Sequence, residues 1–236
     1  MILETARSVA KRVLPRTTRS WIREVSRPAV LAWAVRRLRR TRPGAPADPR
    51  LIEQLRQGWG NDNYSAPDTF LQRVAVRARN TRGPILECGT GCSTLLLGLL
   101  AGSRGVEVWS LEHDPRWLEA MEDQLKRFRV EGVHLVLAPL RSFGDFDWYD
   151  APANPSLPDR FTVVVCDGPP SLTTAGGRYG LMPVLGDRLV PGTEILLDDA
   201  ARPEEKAVIG RWTVERPLRV ELDEDAGRGI AHLVVR

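Results

Sequence analysis

The sequence lacks the features that mark several large classes of protein. Its 236 residues include only three cysteines, Cys88, Cys92 and Cys166. A disulfide framework uses more cysteines, and usually an even number of them. No apolar run approaches the roughly 18–20 residues that span a bilayer, and residues 1–15 lack the continuous apolar stretch of a secretory signal. These absences exclude a disulfide-stapled domain and an integral membrane protein, so we expect a cytoplasmic protein.

Charge is distributed unevenly along the chain. Residues 1–42 contain twelve basic and two acidic residues, a net charge of +10, whereas the remainder contains 22 basic and 28 acidic residues, a net charge of −6. Over Ser20–Arg40, apolar residues recur largely every three to four positions among arginines, which predicts an amphipathic helix. Pro28 would start or kink this helix.

A proline-rich segment separates this basic arm from the rest of the chain. Residues 41–49 include three prolines and one glycine, which is typical of a linker. We therefore predict a basic helical arm and linker over residues 1–47 and one domain over residues 48–236. The arm has three candidate roles: a helical lid packed on the domain or on a partner subunit, a peripheral membrane helix with Trp21 and Trp33 at the headgroups of anionic lipids, and, least favoured, nucleic-acid binding or targeting.

From Arg82 onward, short apolar runs alternate with helical stretches. This alternation predicts a doubly wound, mostly parallel α/β sheet of the Rossmann-like type, because strands buried on both faces read as continuous apolar runs. Two final runs around a turn-like segment predict an antiparallel hairpin that closes the sheet. The predicted strands are Pro84–Cys88, Val106–Leu111, Val133–Ala138, Phe161–Cys166 and Thr193–Leu197, with Leu218–Leu222 and Ile230–Val235 as the hairpin, and helices begin near Thr94, Pro115, Gly180 and Arg202.

One segment of this predicted domain has no clear periodicity. Gly144–Arg160 contains four acidic residues and three prolines, and long structureless loops in compact domains are more often functional than idle. We expect Trp148 and Tyr149 to be exposed on this loop, where they would stack on a planar substrate, with packing against the sheet edge as the alternative.

The first predicted strand is followed by a turn that contains two glycines. Gly89 and Gly91 permit a tight turn and a close approach of a ligand to the backbone, and Ser93 or Thr94 can cap the next helix. The turn is not a dinucleotide fingerprint, because Thr94 replaces the third glycine, and it is not a phosphate-binding loop, because no Gly-Lys-Ser/Thr follows. A ligand site is indicated here, with a plain strand–helix turn as the alternative.

Carboxylates follow three other predicted strands. Glu112 ends the second strand, where it would accept hydrogen bonds from a ribose diol, while Asp114 would cap the following helix. Asp167 follows the fourth strand, and Asp198 and Asp199 follow the fifth. Ligands bind outside the carboxyl ends of parallel strands, so these aspartates are candidate ligands of a hard cation such as Mg²⁺. Alternatively, Asp167 contacts a substrate and the other two cap a helix.

This order of motifs resembles the class I S-adenosylmethionine-dependent methyltransferases. Glu-x-Gly-x-Gly-x-Ser, a strand-end Glu, Asp-Gly-Pro and Asp-Asp lie in register on alternating strands, and the resemblance covers about Trp59 to Arg236. The aspartate sites are most similar to those of the catechol and caffeoyl-CoA type of metal-dependent O-methyltransferase. The resemblance implies S-adenosylmethionine as the cofactor and Asp167, Asp198 and Asp199 as metal ligands.

The resemblance also implies roles for residues around the cofactor. The glycine turn would cradle the methionine part with Glu87 near its ammonium, Glu112 would hold the ribose hydroxyls, His113 would lie near the adenosine, and the stretch Trp59–Tyr64 would close over the cofactor or substrate. The residues implied in cofactor binding are Glu87, Gly89, Thr90, Gly91, Ser93, Glu112, His113, Asn61 and Tyr64.

Two positions depart from the pattern of that family. The catalytic lysine of the family would fall at Pro170, which cannot act as a base, and Asp199 stands where the family usually has Asn. Without a metal, Asp167 becomes the candidate base. The hypothesis is methyl transfer to a hydroxyl oxygen of a small or lipid-like acceptor, with Mg²⁺ as an assisting cation. The rivals are an inactive cofactor-binding scaffold and an aminopropyl transferase of the same fold; the acceptor and the oligomeric state stay open.

Overall fold

The computed structural model describes residues 16–41, 45–61, 64–151 and 156–236. Within these residues the chain begins with three helices and then alternates strands with helices. The helices are α1 (Arg16–Arg39), α2 (Pro49–Trp59), α3 (Asp68–Asn80), α4 (Cys92–Leu100), α5 (Pro115–Arg127), α6 (Leu181–Leu185) and α7 (Pro203–Glu215), and the strands are β1 (Ile85–Cys88), β2 (Val108–Glu112), β3 (Val133–Leu137), β4 (Leu140–Ser142), β5 (Asp147–Tyr149), β6 (Val163–Cys166), β7 (Glu194–Asp198), β8 (Leu218–Asp223) and β9 (Ile230–Val235).

The main sheet of the described residues has seven strands in the order β3-β2-β1-β6-β7-β9-β8. Strands β3, β2, β1, β6 and β7 pair in parallel, and β9 pairs antiparallel with both β7 and β8. The predicted fold is therefore confirmed: a doubly wound, mostly parallel sheet with an antiparallel hairpin at its end. Strand order reverses between β1 and β6, which is where such sheets open a crevice for ligands.

Burial explains why the central strands could be located in the sequence. All residues of β1 and β6 are buried, whereas every residue of the edge strand β8 is partly or fully exposed. Each predicted strand of the main sheet matches an observed one to within two residues at its start. One hydrophobic cluster packs helices α1 to α5 on one face of the sheet, and the other packs β4, β5, α6 and α7 on the opposite face.

The prediction of a structureless loop over Gly144–Arg160 is wrong. Strand β5 lies within it and pairs antiparallel with β4, with Leu140 opposite Tyr149. Trp148 and Tyr149 are both 0% exposed, so they are core residues and do not offer a stacking surface. The backbone of Gly180 lies so close to the ring of Trp148 that a Cβ there would be 2.2 Å from it. Part of the predicted loop, residues 152–155, lies outside the described residues.

The described part of the arm contains one helix, which continues through Pro28. Among its side chains from Glu24 onward, those of Leu31, Ala34, Val35 and Leu38 are buried, and they belong to the hydrophobic cluster that includes α2. Among the described residues, every helix is too short or too polar to cross a bilayer.

The opposite face of α1 is exposed and basic. Val25 and Trp33 are 61% and 42% exposed, and Arg36, Arg37 and Arg40 are exposed beside them. Arg39 points back to the domain, where its guanidinium donates hydrogen bonds to the backbone carbonyls of Phe128 and Arg129 at the end of α5. A positively charged side chain is stabilised at this position because the last carbonyls of a helix carry partial negative charge.

The close contact between α1 and α2 generates a stability prediction. A Cβ on Gly58 would lie 2.4 Å from the backbone nitrogen of Leu31 and 2.6 Å from its Cα. We expect Gly58→Ala to lower the free energy of unfolding by about 1–3 kcal/mol, because two helix backbones would have to separate. Denaturant unfolding measures this change.

Gly210→Ala is the matched control, because Gly210 also lies in a helix but a Cβ there meets nothing within 4 Å among the described residues. Alanine favours both helices equally, by about 1 kcal/mol, so the difference between the variants isolates the clash. Equal stability of the two variants would contradict the packing of α1 on α2.

Candidate functional site

The turn after β1 contains the two glycines that the sequence singles out. Gly89 has a φ of +90°, which L side chains rarely adopt, and a Cβ there would lie 3.3 Å from the backbone nitrogen of Gly168. Gly91 differs, because a Cβ there would meet no described atom within 4 Å. The backbone N–H of Gly91 donates to Thr94 Oγ1 over 2.8 Å. The turn is thus tight on its inner side and borders open space at Gly91.

Glu87 is a buried carboxylate beneath this turn. Its Oε2 accepts hydrogen bonds from Thr94 Oγ1 at 2.7 Å and Ser110 Oγ at 2.5 Å. Its Oε1 has no hydrogen-bond partner among the described atoms. Burial raises the pKa of Glu87 to about 7 despite these donors. A carboxylate with one buried, unused oxygen is suited to a positively charged ligand group.

Glu112 lies directly beside the turn. Its Oε2 accepts from the backbone N–H of Thr90 at 3.1 Å and from Thr90 Oγ1 at 2.9 Å, and its Oε1 accepts from the N–H groups of His113 and Asp114 at 2.8 and 2.9 Å. Burial alone would raise the pKa of Glu112, but the hydrogen bonds from His113, Asp114 and Thr90 lower it. Glu112 is therefore an ionised carboxylate held against the glycine turn.

The imidazole of His113 also contacts the carboxylate of Glu112. Its Nδ1 lies 3.0 Å from Glu112 Oε1, and this contact raises the pKa of the imidazole.

The predicted stretch Trp59–Tyr64 is connected to the glycine turn through Trp59 and Trp117. Trp117 Nε1 donates to the carbonyl of Thr90 over 2.7 Å, and Trp59 packs edge-on against Trp117 with ring centroids 6.4 Å apart. Asn61 adopts a left-handed φ of 53°, and its carbonyl accepts from the N–H of Tyr64. The Tyr64 side chain is 77% exposed. Residues 62 and 63 of this predicted stretch lie outside the described residues.

The three predicted aspartates meet at the carboxyl ends of β6 and β7. One carboxylate oxygen from each of Asp167, Asp198 and Asp199 lies within 4.8 Å of the others. Asp167 is the most accessible, with 19% of its side chain exposed, against 0% for Asp198 and 4% for Asp199. Burial, together with the charge of Asp198, raises the pKa of Asp167 well above its ordinary value.

An arginine that sequence reasoning missed lies among these carboxylates. Arg178 is 2% exposed, and its Nη2 donates to Asp167 Oδ1 at 3.0 Å and to Asp199 Oδ2 at 2.9 Å. Burial opposes the charge on this guanidinium, but Asp167 and Asp199 raise its pKa above the ordinary arginine value. Two further arginines, Arg202 and Arg228, contact Asp199 from the rim at 2.9 and 2.5 Å.

These contacts decide how well the cluster fits the predicted Mg²⁺. A divalent cation binds where several carboxylate oxygens keep free lone pairs and uncompensated negative charge. Here Asp199 already contacts three guanidinium groups, and both Asp167 and Asp198 contact one. The carboxylates have the geometry of a cation site but not its charge, so no chemical step is derived through Mg²⁺.

Tyr149, predicted as an exposed stacking residue with packing as the alternative, is buried beside the site. Its hydroxyl would lie 2.5 Å from a Cβ built on Gly168, and it has no hydrogen-bond partner in the described part of the chain. The sequence does not indicate the β4–β5 pairing that buries this ring.

Comparison with known proteins identifies the fold. No protein-family model matches this sequence, and no curated protein sequence matches it significantly. A methyltransferase from Podospora anserina, PaMTH1, solved with S-adenosylhomocysteine bound, is 17% identical with a TM-score of 0.57, over 95% of this chain and 98% of that one.

Two further structures align at similar quality. A Klebsiella pneumoniae protein, provisionally described as an O-methyltransferase, is 17% identical with a TM-score of 0.51, over 98% of this chain and 95% of that one. The C-terminal domain of precorrin-6Y C5,15-methyltransferase from Rhodobacter capsulatus is 15% identical with a TM-score of 0.51, over 82% of this chain and 98% of that domain. At these identities the likeness establishes a shared methyltransferase fold.

The buried carboxyl of Glu87 generates a prediction about stability and pH. Its pKa is about 7 in the folded chain against an ordinary value of 4.5, so the folded state holds this proton more tightly than the unfolded state. The free energy of unfolding should therefore fall as the pH rises from about 4.5 to 7, by about 3 kcal/mol from this group.

Glu87→Gln should remove that contribution, because glutamine does not ionise and can place its carbonyl toward Thr94 and Ser110. Denaturant unfolding of both proteins over this pH range gives the difference, in which the other titrating groups cancel. Parallel curves for the two proteins would show that Glu87 titrates normally.

Proposed function

We propose that this chain is an S-adenosylmethionine-dependent methyltransferase that methylates a hydroxyl oxygen of a small or lipid-like acceptor. The observation that carries the proposal is the pairing of open space at Gly91 with an unused buried oxygen on Glu87. An extended ligand with a cationic end fits this pairing, and Glu112 on the adjacent strand offers a carboxylate for hydroxyl groups. The shared fold of the three aligned structures supports the same conclusion.

Each residue around the turn then has a role in binding. Glu87 would bind the ammonium of the methionine part, which favours its ionised form. Glu112 would accept from the ribose hydroxyls, with the rotatable hydroxyl of Thr90 giving up its place. Gly89, Thr90, Gly91 and Ser93 would cradle the methionine part, His113 would lie near the adenosine, and Asn61 and Tyr64 would close over the cofactor or substrate.

Proton removal from the acceptor is assigned to Asp167. When bound, S-adenosylmethionine supplies a methyl carbon on a sulfonium, so the protein has chiefly to align the acceptor oxygen and take its proton. Asp167 is the accessible member of the aspartate cluster, and burial raises its pKa toward the range in which a carboxylate is an effective base. Arg178 holds one of its oxygens and leaves the other side of the carboxylate to the acceptor.

A scaffold that binds the cofactor without turnover is the second candidate. The observation that favours it is Pro170, which stands where the resembling family has its catalytic lysine. Binding alone cannot distinguish the two, whereas a change at Asp167 does.

Cofactor binding is tested at the glycine turn. Gly91→Ala adds a Cβ into open space at a φ of 178°, an extended conformation that alanine adopts freely, so the fold should be unaffected. If the cofactor occupies that space, we expect affinity for S-adenosylmethionine and S-adenosylhomocysteine to fall about tenfold or more, that is by at least about 1.4 kcal/mol. Isothermal titration measures both, with Gly210→Ala as the control that should bind like the original chain. Absence of binding by the unmodified chain would refute the proposal.

Turnover is tested at Asp167. We expect Asp167→Asn to keep cofactor affinity within about twofold and to lower the rate of methyl transfer by about 10²-fold or more, because an amide cannot accept the proton. The assay follows the tritiated methyl group of S-adenosylmethionine into a panel of phenols and hydroxylated lipids. Equal incorporation by the variant and the original chain would remove Asp167 from the mechanism, and binding without incorporation into any acceptor of the panel would favour the scaffold.

A further inference from the structure

Arg178 lies where a cation bound by the aspartate cluster would lie. Its Nη2 is within 3.0 Å of Asp167 Oδ1 and within 2.9 Å of Asp199 Oδ2, and the same nitrogen donates to the carbonyl of Asp167 at 2.8 Å. Its Nη1 donates to the carbonyl of Asp198 and lies 3.6 Å from Glu205 Oε1. One guanidinium therefore ties together the end of β6, the end of β7 and the first turn of α7.

We propose that Arg178 is the built-in cation of this cluster, so that the site needs no divalent metal and Arg178 acts as the positioning residue for Asp167. The charge balance of the cluster does not depend on methyl transfer, whereas the positioning of Asp167 for proton removal rests on the proposed function. It rests on the contacts of the guanidinium, on the charge balance around it and on the backbone that delivers it.

Three guanidinium groups already offset most of the negative charge that a divalent cation would need. Four carboxylates surround the guanidinium, those of Asp167, Asp198, Asp199 and Glu205, and three guanidinium groups contact them, those of Arg178, Arg202 and Arg228. The net charge of the seven groups is −1 when all are ionised. A divalent ion would add charge beside three guanidinium groups in a poorly solvated site, where like charges repel strongly.

The contacts of Asp199 explain why this cluster has an additional acidic residue. It contacts Arg178 at 2.9 Å, Arg202 at 2.9 Å and Arg228 at 2.5 Å. This is the position at which the resembling metal-dependent family usually has Asn. A neutral amide would leave these guanidinium groups with one fewer carboxylate, so the Asp at this position complements the arginines, whereas it would only over-charge a metal site.

The backbone fixes the guanidinium in place. Gly176 and Gly177 have φ values of +69° and +54°, and Arg178, which follows them, donates to the backbone carbonyls of Asp167 and Asp198 at the ends of β6 and β7. Ser171 lies against Gly177, where a Cβ would be 2.7 Å from Ser171 Oγ, and Ser171 Oγ donates to Glu205 Oε1 over 2.7 Å. Arg178 is therefore held from two sides, by its partners and by the turn that carries it.

The first experiment measures metal binding directly. Electron paramagnetic resonance of free Mn²⁺ should show no binding to the unmodified chain at millimolar metal, and Mg²⁺ or a chelator should leave its thermal midpoint unchanged. Arg178→Gln leaves four carboxylates against two guanidinium groups, and we expect it to gain one Mn²⁺ site that is occupied at metal concentrations about tenfold or more below those at which the original chain shows none. Arg178→Lys keeps the charge and should not gain it. A purely structural role of Arg178 predicts no such gain.

The second experiment does not depend on the folding of an Arg178 variant. Asp199 has a φ of 57°, a conformation that Asn tolerates well, so Asp199→Asn changes charge without straining the backbone. If Asp199 belongs to an ion-pair network, this variant should unfold at a lower temperature than the original chain in the presence of a chelator. If the cluster is an empty metal site, the variant should unfold at the same or a higher temperature than the original chain, because one of several clustered negative charges is gone. Asp225→Asn, at an exposed aspartate, is the control for the substitution itself.

The outcomes separate this inference from the proposed function. One-to-one binding of Mn²⁺ by the unmodified chain at micromolar concentration, lost in Asp199→Asn, overturns the inference, and so does stabilisation by Asp199→Asn in chelator. Failure to bind S-adenosylmethionine would overturn the proposed function and leave these results unchanged. Where methyl transfer is observed, its rate should be the same with and without chelator.

Discussion

The contact between the carboxyl ends of β1 and β6 controls the geometry of the whole site. At this point the strand order reverses, and Gly89 and Gly168 face each other so closely that a Cβ on either would lie 3.1 to 3.3 Å from the backbone of the other. Because neither residue has a side chain, the two strand ends stay in register while the chain turns away in opposite directions. After Gly89 the chain continues to the open space at Gly91, and Asp167 directly precedes Gly168 at the end of β6.

The buried charges around this contact are satisfied to different degrees, and the differences indicate their uses. Glu112 accepts from four donors of the protein, which keeps it ionised and fixed. Glu87 has an oxygen without a hydrogen-bond partner among the described atoms and a pKa near neutrality. Unsatisfied buried polar atoms are costly, and in the proposed function the ammonium of the cofactor would offset that cost at Glu87.

The sequence predicted the layout of the sheet and the approach of Glu112 to the glycine turn, because both follow from local patterns. Central strands are continuous apolar runs, and Asp114 before Pro115 begins a helix by capping it. Strands β4 and β5 have three residues each, too few for a periodicity, so the burial of Tyr149 was missed. Arg178 was missed for a different reason: its partners come from β6, β7 and α7, and only the tertiary path of the Gly176–Gly177 turn brings it to them.

If the proposed methyl transfer takes place here, the placement of Arg178 also resolves a chemical difficulty of an acid-lined site. A hydroxyl that is losing its proton develops negative charge, and bare carboxylates nearby would oppose that charge. The guanidinium offsets much of their field at short range, while Asp167 keeps enough basicity, through burial and the charge of Asp198, to accept the proton. In sites with a metal, one cation both neutralises the carboxylates and binds the acceptor oxygen. Here these tasks are divided, since Arg178 is too buried to bind the acceptor and acts only on the carboxylates. In the proposed reaction, the alignment of the acceptor would therefore come from the walls of its pocket.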